Sequence, residues 1–190
     1  MQQKRALAYL IIRTESDNPM SSSLIKNLVV QAKDKNADAF GELYSYYAKD
    51  MYRFALYYTG QQHLAEDAVS EAALNAFQNI TQLKNESSFK AWLFSILFNC
   101  CKKQQKEKAL ALQRVELSEA GQIADERFES GRADVKGLLS LLNDDEREIL
   151  ILSFIGGYNS DEIGEMLSMK AVSVRSKKAR CVKKLRNLMS

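Results

Sequence analysis

The sequence predicts an all-α fold in which two small helical domains are joined by a flexible, charged linker. Glycine and proline are scarce, at 8 and 1 of 190 residues, whereas the helix-favouring residues alanine, leucine, lysine, glutamate and glutamine are abundant. Apolar residues recur at steps of three and four in several runs, which is the period of an amphipathic helix. Residues 109–133 interrupt these runs with mixed charges and two glycines, so they are predicted to be the linker.

Residues 1–20 are predicted to be an appendage to the first domain, with Met20 as a candidate alternative start. The only proline, Pro19, lies near the end of this stretch, and Ser21–Ser23 suit the N-cap of a helix. The apolar stretch Ala6–Arg13 is short and no small-residue cleavage site follows it, so it does not fit a secretory signal peptide. Because no other segment approaches the roughly 20 apolar residues that span a bilayer, we expect a soluble chain.

The first domain is predicted over residues 21–108 and contains three clear amphipathic helices. The first of these extends from about Ala39 to a stop at Gly60. The second has the sequence HLAEDAVSEAALNAFQNI and leaves an acidic and polar strip opposite its apolar face, formed by Glu66, Asp67, Ser70 and Glu71. The third has the sequence SFKAWLFSILFNCCKKQQKEK and follows the polar loop TQLKNESS. Trp92 lies on its apolar stripe, so we expect this side chain in the core.

The sequence carries no signature of a metal site, a cofactor or a catalytic centre. Cys100, Cys101 and Cys181 are odd in number and lack CxxC spacing, which indicates neither a disulfide framework nor a zinc site. We expect buried thiols in a reducing cytoplasm rather than a redox switch. His63, the only histidine, is expected to be exposed at the start of a helix. No glycine-rich phosphate loop, HExxH or GxSxG is present, so we do not predict an enzyme.

The second domain is predicted over residues 134–190. A short leucine-rich helix opens it, and Asn143–Glu146 then provide the cap and acidic first turn of the next helix, which stops at Gly156 and Gly157. Asn159 begins a short helix with capping-box spacing that should run to about Leu167. A tight turn of three residues, SMK, and a second helix follow. Two short helices joined in this way predict a helix-turn-helix.

The second helix of this unit has a strongly basic face. From Lys170 onward the chain contains eight basic residues and no acidic one, although its formal net charge is only +3. At 100° per residue one face is apolar, and it is formed by Val174, Cys181, Val182, Leu185 and Leu188. Lys178 falls within this stripe, and we expect its ammonium group to extend to the edge. A basic face is often merely solvated. Here its single sign of charge and its place in a helix-turn-helix favour nucleic acid as the partner.

Taken in order, these motifs resemble the sigma-70 family of bacterial transcription initiation factors over residues 24–188. The motifs are HLAEDAVSEAALNAF, FKAWLFSILFNCCKK after a polar loop, and LNDDEREILILSFIGGYNSDEIGEMLSMKAVSVRSKKARCVKKLR after a charged linker. The compact two-domain form is similar to the extracytoplasmic-function group. The resemblance implies a sigma factor that binds core RNA polymerase and directs promoter-specific transcription initiation through −10 and −35 elements. It also implies an anti-sigma protein as a regulator.

The resemblance implies three sets of binding residues. The second helix would dock on a coiled coil of the largest polymerase subunit through Asp67, Ser70 and Glu71. The −10 element would be held as separated strands, with Asn99 meeting a flipped base, by Asn85, Ser87, Ser88, Lys90, Asn99, Lys102 and Lys103. The −35 element would be read as duplex by Ser173, Arg175, Ser176, Arg180, Lys183 and Lys184.

Several residues depart from the family pattern. Ser168 stands where the turn usually carries glycine, Val172 stands where a small residue is usual, and Ser173 replaces a threonine. Phe98 replaces the usual arginine before Asn99.

One alternative function stays open at this point. A stand-alone helix-turn-helix transcriptional regulator, with an N-terminal helical dimerisation or ligand-binding domain, would explain the second domain equally well. It would leave the acidic strip and the polar loop of the first domain unexplained. Sequence-specific binding to duplex DNA without polymerase would distinguish it from a sigma factor.

Overall fold

The computed structural model describes residues 20–115, 137, 139 and 141–188, and it confirms the all-α prediction, because no strand occurs within those ranges. The chain divides into two compact units. The described helices of the first unit, here called the N-terminal module, are α1 (Ser22–Lys33), α2 (Ala37–Thr59), α3 (Gln62–Asn79) and α4 (Phe89–Val115). Those of the second unit, the C-terminal module, are α5 (Asp144–Ile151), α6 (Ser160–Leu167) and α7 (Ala171–Leu188).

Three sequence predictions fall partly or wholly outside the described residues. They concern the appendage before Met20, most of the linker, and most of the leucine-rich helix before Asn143. The third predicted helix, α4, continues to Val115, past the predicted end of the first domain at residue 108. No described helix is long and apolar enough to cross a membrane.

Polar caps and a left-handed glycine set the helix ends of the N-terminal module. Ser21 accepts a hydrogen bond from the Leu24 amide at 3.2 Å and caps α1, as predicted. Asn36 caps α2 in the same way through the Ala39 amide at 3.1 Å. Gly60 ends α2 with a φ of 70°, a conformation that costs glycine little.

The core of the N-terminal module lies where α4 packs on α2 and α3. The ring of Phe54 meets that of Phe94 edge to face, with centroids 5.6 Å apart, and Tyr58 meets Phe98 in the same geometry at 5.4 Å. These aromatic side chains are buried, as are the alanines of α3, such as Ala72, which let α4 approach closely. Phe54 and Tyr58 lie on the apolar face predicted for α2, whereas Phe94 and Phe98 of α4 lie outside the predicted stripe and widen the buried face of that helix.

The loop between α3 and α4 is more ordered than a polar linker would be. It contains two 3₁₀ turns, Ile80–Gln82 and Glu86–Ser88. Leu83 between them is buried, and Glu86 pairs with Lys33 of α1. The hydrogen bond from Lys33 lowers the pKa of the Glu86 carboxyl. The loop is thus fixed at two points to the rest of the module.

Capping boxes start both short helices of the C-terminal module, where the sequence predicted a box at Asn159 and a cap with an acidic first turn at Asn143. Glu146 donates its amide to Asn143 Oδ1 at 2.9 Å, and the Asn143 amide returns a bond to the Glu146 carboxylate at 3.2 Å. The same reciprocal pair joins Asn159 and Glu162. Gly157 ends the first of these segments with a φ of 77°.

One feature of this segment differs from the prediction. Before Gly157 the backbone widens into a π-helical turn over Leu152–Gly156. A periodicity analysis that assumes 3.6 residues per turn does not detect such a widening.

The turn between α6 and α7 requires a left-handed backbone conformation at Ser168 and a residue without a Cβ atom at position 164. Ser168 adopts a left-handed conformation with φ 54° and ψ 42°. The Met169 amide donates to the Gly164 carbonyl at 2.8 Å, which brings the two segments together. A Cβ atom on Gly164 would lie only 2.6 Å from the Met169 carbonyl oxygen. Glycine at position 164 is therefore what allows α7 to leave the turn so close to α6.

Candidate nucleic-acid and polymerase interfaces

Helix α7 buries the face that the sequence predicted and exposes the other. Val174, Cys181 and Leu185 are buried against the module, and Val182 is partly buried. The side chain of Leu188 lies outside the described residues. All six side chains assigned to the −35 element are exposed: Ser173, Arg175, Ser176, Arg180, Lys183 and Lys184.

Two lysines of α7 are tied to the acidic start of α5. Lys177 pairs with Asp145, and Lys184 Nζ donates to the Leu141 carbonyl at 2.8 Å while lying 3.8 Å from Glu146. These contacts link α7 to the start of α5 and to the residues before it, so part of the basic charge is paired within the module. Lys184, predicted to bind phosphate, therefore already has partners within the module.

Lys178 behaves as the sequence predicted. Its side chain is partly buried, and Nζ lies 5.0 Å from the centroid of the Phe154 ring. An ammonium group over an aromatic face is attracted by the ring quadrupole and stays at the edge of the core. The charge is thus accommodated within the apolar stripe.

The N-terminal module carries a polar groove of about 460 Å³ between α3 and α4. Its lining combines amide, apolar and charged side chains: Glu71, Asn75, Asn79, Gln82, Trp92, Ile96, Asn99, Cys100 and Lys103. Of the seven residues assigned to the −10 element, the groove brings together Asn99 and Lys103. The other five lie outside its lining. Asn85, Ser87 and Ser88 are exposed in the loop, where Asn85 Oδ1 accepts the Ser87 amide at 3.0 Å.

Lysines outside the groove rest on buried aromatic rings of α4. Lys90 Nζ lies 5.6 Å from the Phe94 ring centroid, and Lys102 Nζ lies 5.3 Å from that of Phe98. Phe98, which replaces the family's usual arginine, is itself buried. Phenylalanine at position 98 therefore adds an aromatic side chain to the core, and its ring attracts the ammonium group of Lys102.

The acidic strip on α3 is only partly as predicted. Glu66, Asp67 and Ser70 are exposed, but Glu71 is partly buried. Its carboxylate lies 2.7 Å from Lys103 Nζ, and this hydrogen bond raises the pKa of the Lys103 ammonium group. Glu71 was assigned to polymerase and Lys103 to DNA, yet the structure joins the two in one ion pair.

Sequence reasoning missed the amide side chains that line the groove. Gln82 Nε2 donates to Asn79 Oδ1 at 2.8 Å, and Asn79 Nδ2 donates to the Asn75 carbonyl at 2.8 Å. The spacing from Glu71 through Asn75 to Asn79 is four residues at each step, which places all three on one helix face. This spacing is visible in the sequence and indicates a continuous polar face on α3.

Trp92 was predicted to lie in the core, and this prediction is wrong. The indole is partly exposed and lines the groove, and its ring centroid lies 6.0 Å from that of the buried Phe89. Trp92 stands at the margin of the apolar stripe of α4, where a large side chain covers the core with one face and meets the groove with the other.

The thiols and the histidine offer no reactive centre. All three cysteines are buried, as predicted, and burial raises the pKa of each thiol, that of Cys181 to about 11. His63 is exposed in the first turn of α3, also as predicted.

The modules match two models of one protein family. The model of Sigma-70 region 2 matches residues 43–109, and that of Sigma-70, region 4 matches residues 138–187. The chain is similar to the ECF RNA polymerase sigma factor BldN of Streptomyces coelicolor, with 28% identity over 176 residues that cover 88% of this chain and 67% of the relative. It is equally similar, at 28% over 157 residues, to the ECF sigma factor SigM of Bacillus subtilis, covering 77% of this chain and 93% of the relative.

A solved structure supports the fold. The sigma factor RpoE of Bartonella quintana, in complex with the anti-sigma factor NepR, resembles this chain with a TM-score of 0.65 at 23% identity, covering 79% of this chain and 96% of that one. Because sigma-70 models match both modules, a stand-alone helix-turn-helix regulator is not favoured, since that function would account only for the second module. The two family models together cover more than half of the chain, which therefore belongs to the sigma-70 family of RNA polymerase sigma factors, in its extracytoplasmic-function group.

Proposed function

We propose that the two modules divide promoter recognition, residues 21–108 binding polymerase and the −10 element and residues 134–190 binding the −35 element. As a sigma factor the protein is not an enzyme: it binds core RNA polymerase and promoter DNA and directs promoter-specific initiation. The observation that carries the proposal is the exposure, in the second helix of a helix-turn-helix, of every side chain assigned to the −35 element.

Helix α7 has the chemistry to read duplex DNA. Arg175 and Arg180 can each form a bidentate pair with guanine, and Ser176 between them suits a shorter contact to a base edge. Lys183 is exposed and neutralises a phosphate. Lys184 contributes charge near the same backbone, but its contact with α5 gives it a smaller share of the binding energy.

The groove of the N-terminal module suits a flipped base of the −10 element. Single-strand recognition needs a flat apolar surface and amide groups that can donate and accept hydrogen bonds at a base edge. Trp92 supplies the surface, and Asn75, Asn79 and Asn99 supply the amides. Lys102 is exposed on α4 and is available to the strand's backbone.

The strip on α3 suits polymerase, and it includes an apolar residue that the sequence reading left out. Asp67 and Ser70 are exposed, and Leu74, one turn further along the same face, is 57% exposed. An apolar anchor beside acidic groups is the usual composition of a protein interface, where the apolar contact supplies affinity and the charges supply orientation.

We also propose a cytoplasmic location and control by an anti-sigma protein. Core polymerase and promoter DNA are the partners of a sigma factor, and three thiols that stay unpaired fit a reducing compartment. Among solved structures of similar fold, the sigma factor RpoE is in complex with the anti-sigma factor NepR, and CnrH is in complex with the cytosolic domain of CnrY. Affinity capture with this chain before and after stress would test the proposal, since recovery of no inhibitory protein in either condition would contradict it.

If the two modules divide the roles in this way, single variants should change affinity for core polymerase and promoter opening independently. Affinity for core polymerase is measured by fluorescence anisotropy, and promoter opening by permanganate reactivity of unpaired thymines. Asp67→Lys should weaken polymerase binding. Arg175→Ala should leave polymerase binding intact and reduce opening by weakening promoter binding, so a higher holoenzyme concentration should restore opening. Asn99→Ala should reduce opening at every holoenzyme concentration. Lys49→Ala, which removes an exposed charge from α2, is the control and should change neither measurement. Loss of polymerase affinity in Arg175→Ala would contradict the division.

A further inference from the structure

We propose that Val172 reads the C5 methyl group of a thymine in the −35 element and is a specificity-determining residue of this sigma factor. The inference rests on the proposed function, in which α7 binds that element. It adds an apolar contact to a surface whose other assigned residues are all charged or hydroxylic.

The exposure of Val172 is not explained by packing within the described residues. Its side chain is 66% exposed, a larger fraction than for any other large apolar residue described. Val174, two positions further on, is fully buried and anchors the start of α7 to the module. A valine also has a lower helix propensity than alanine, so helix formation does not favour it here. The position of Val172 therefore suggests a contact made outside the chain.

Val172 lies on the same face of α7 as the residues assigned to base reading. Arg175 and Ser176 follow it by three and four residues, and Ala179 follows by seven, so all four side chains share one side of the helix. Each of them is exposed. In a helix-turn-helix the first turns of the recognition helix come nearest to the base edges. Val172 is the second residue of α7, so the surface that faces DNA includes it.

The chemistry of the side chain limits what it can recognise. Valine has no hydrogen-bonding group, so it gains nothing from a phosphate, unlike its neighbour Ser173. Thymine presents a methyl group in the major groove, and apolar side chains recognise it by excluding water from both surfaces. The branched side chain has one strongly preferred rotamer in a helix, so its two methyl groups are held in place before DNA binds. A thymine methyl is therefore the base feature that fits.

The test replaces single thymines of a mapped −35 element by deoxyuridine, which lacks only the methyl group. Promoter affinity of the reconstituted holoenzyme is measured for the wild type and for Val172→Ala on each template. We expect one thymine at which the wild type loses about fourfold in affinity, the factor expected for burying one methyl group. Val172→Ala should bind the thymine template at least fourfold more weakly and should not distinguish it from the uridine template. The remaining thymines of the element are internal controls.

The outcomes separate this inference from the proposed function. If the wild-type holoenzyme shows no dependence on any −35 sequence, both fail. If Arg175→Ala abolishes −35 dependence but each uridine substitution affects wild type and Val172→Ala equally, only the inference fails. An element without thymine opposite α7 would overturn it as well. Because Val172 is exposed and alanine has the higher helix propensity, Val172→Ala should not lower the thermal stability. Val172→Thr, which retains one of the two methyl groups, should keep part of the discrimination.

Discussion

Replacing Gly164 by alanine should destabilise the C-terminal module, although the same change in most helices is stabilising. An alanine in a helix interior is favoured over glycine by about 0.5–1 kcal/mol. At this position, however, the new Cβ atom would lie 2.6 Å from the Met169 carbonyl oxygen and 3.4 Å from the Ala171 amide nitrogen. The first is a backbone atom of the turn and the second belongs to the first residue of α7, so neither can move aside without shifting α7.

The size of the effect follows from these two opposing terms. Overpacking in a closely fitted region costs about 1–3 kcal/mol, and the contact here involves rigid backbone on both sides, which favours the upper part of that range. After subtraction of the gain in helix propensity, we expect the free energy of unfolding to fall by about 1–2 kcal/mol. The displaced recognition helix should also reduce transcription from promoters that depend on the −35 element, with polymerase affinity unchanged.

Amide hydrogen exchange measured by mass spectrometry on peptides from α5 to α7 would detect this loss. Gly41→Ala in α2 is the matched control, because Gly41 is exposed and a Cβ atom there would meet nothing within 4 Å. It should stabilise the N-terminal module by about 0.5–1 kcal/mol, a change that fluorescence of Trp92, the only tryptophan, can follow. Unchanged or slower exchange in Gly164→Ala would refute the account of the turn.

Two further substitutions and one thiol reaction have expected outcomes. Ser168→Gly should raise the free energy of unfolding of the C-terminal module by about 0.5–1 kcal/mol in urea, because glycine relieves the left-handed strain; a loss of stability would contradict this. Leu74→Ala should weaken binding to core polymerase about tenfold in an anisotropy titration, whereas Leu24→Ala, which alters a 43% exposed leucine on α1, should not; equal effects would remove Leu74 from the interface. Burial raises the pKa of Cys181 to about 11, so at pH 8 its thiol should react with Ellman's reagent far more slowly in the native chain than in urea, and equal rates would show that it is accessible.

Local signals in the sequence predicted most of the helix ends correctly. The capping box at Asn159 and the stop at Gly60 each depend on a few neighbouring residues, so a single sequence shows them. The buried face of α7 was also predictable, because a period of 3.6 residues relates its side chains without reference to any other helix. The π-helical turn before Gly157 was not predicted, since its extra residue changes that period.

The candidate site was less predictable, because its residues come together only through packing between helices. The ion pair of Glu71 and Lys103 joins residues 32 positions apart, and nothing in either local pattern pairs them. The partial exposure of Trp92 depends on how α4 sits against α3, which periodicity alone does not give. Resemblance assigned Asn99 and Lys103 to DNA. The spacing of Asn75 and Asn79 indicates a shared helix face, but only the structure shows that this face lines the groove with Asn99.

Transcription by purified core RNA polymerase, with and without this protein, tests the central claim most directly. The template is fragmented genomic DNA of the source organism, and the transcript starts are mapped by sequencing. The account predicts discrete starts that appear only with the protein, are preceded by a shared pair of elements, and disappear when Arg175 and Arg180 are both changed to alanine. The absence of such starts, with a polymerase that another sigma factor activates in parallel, would contradict it.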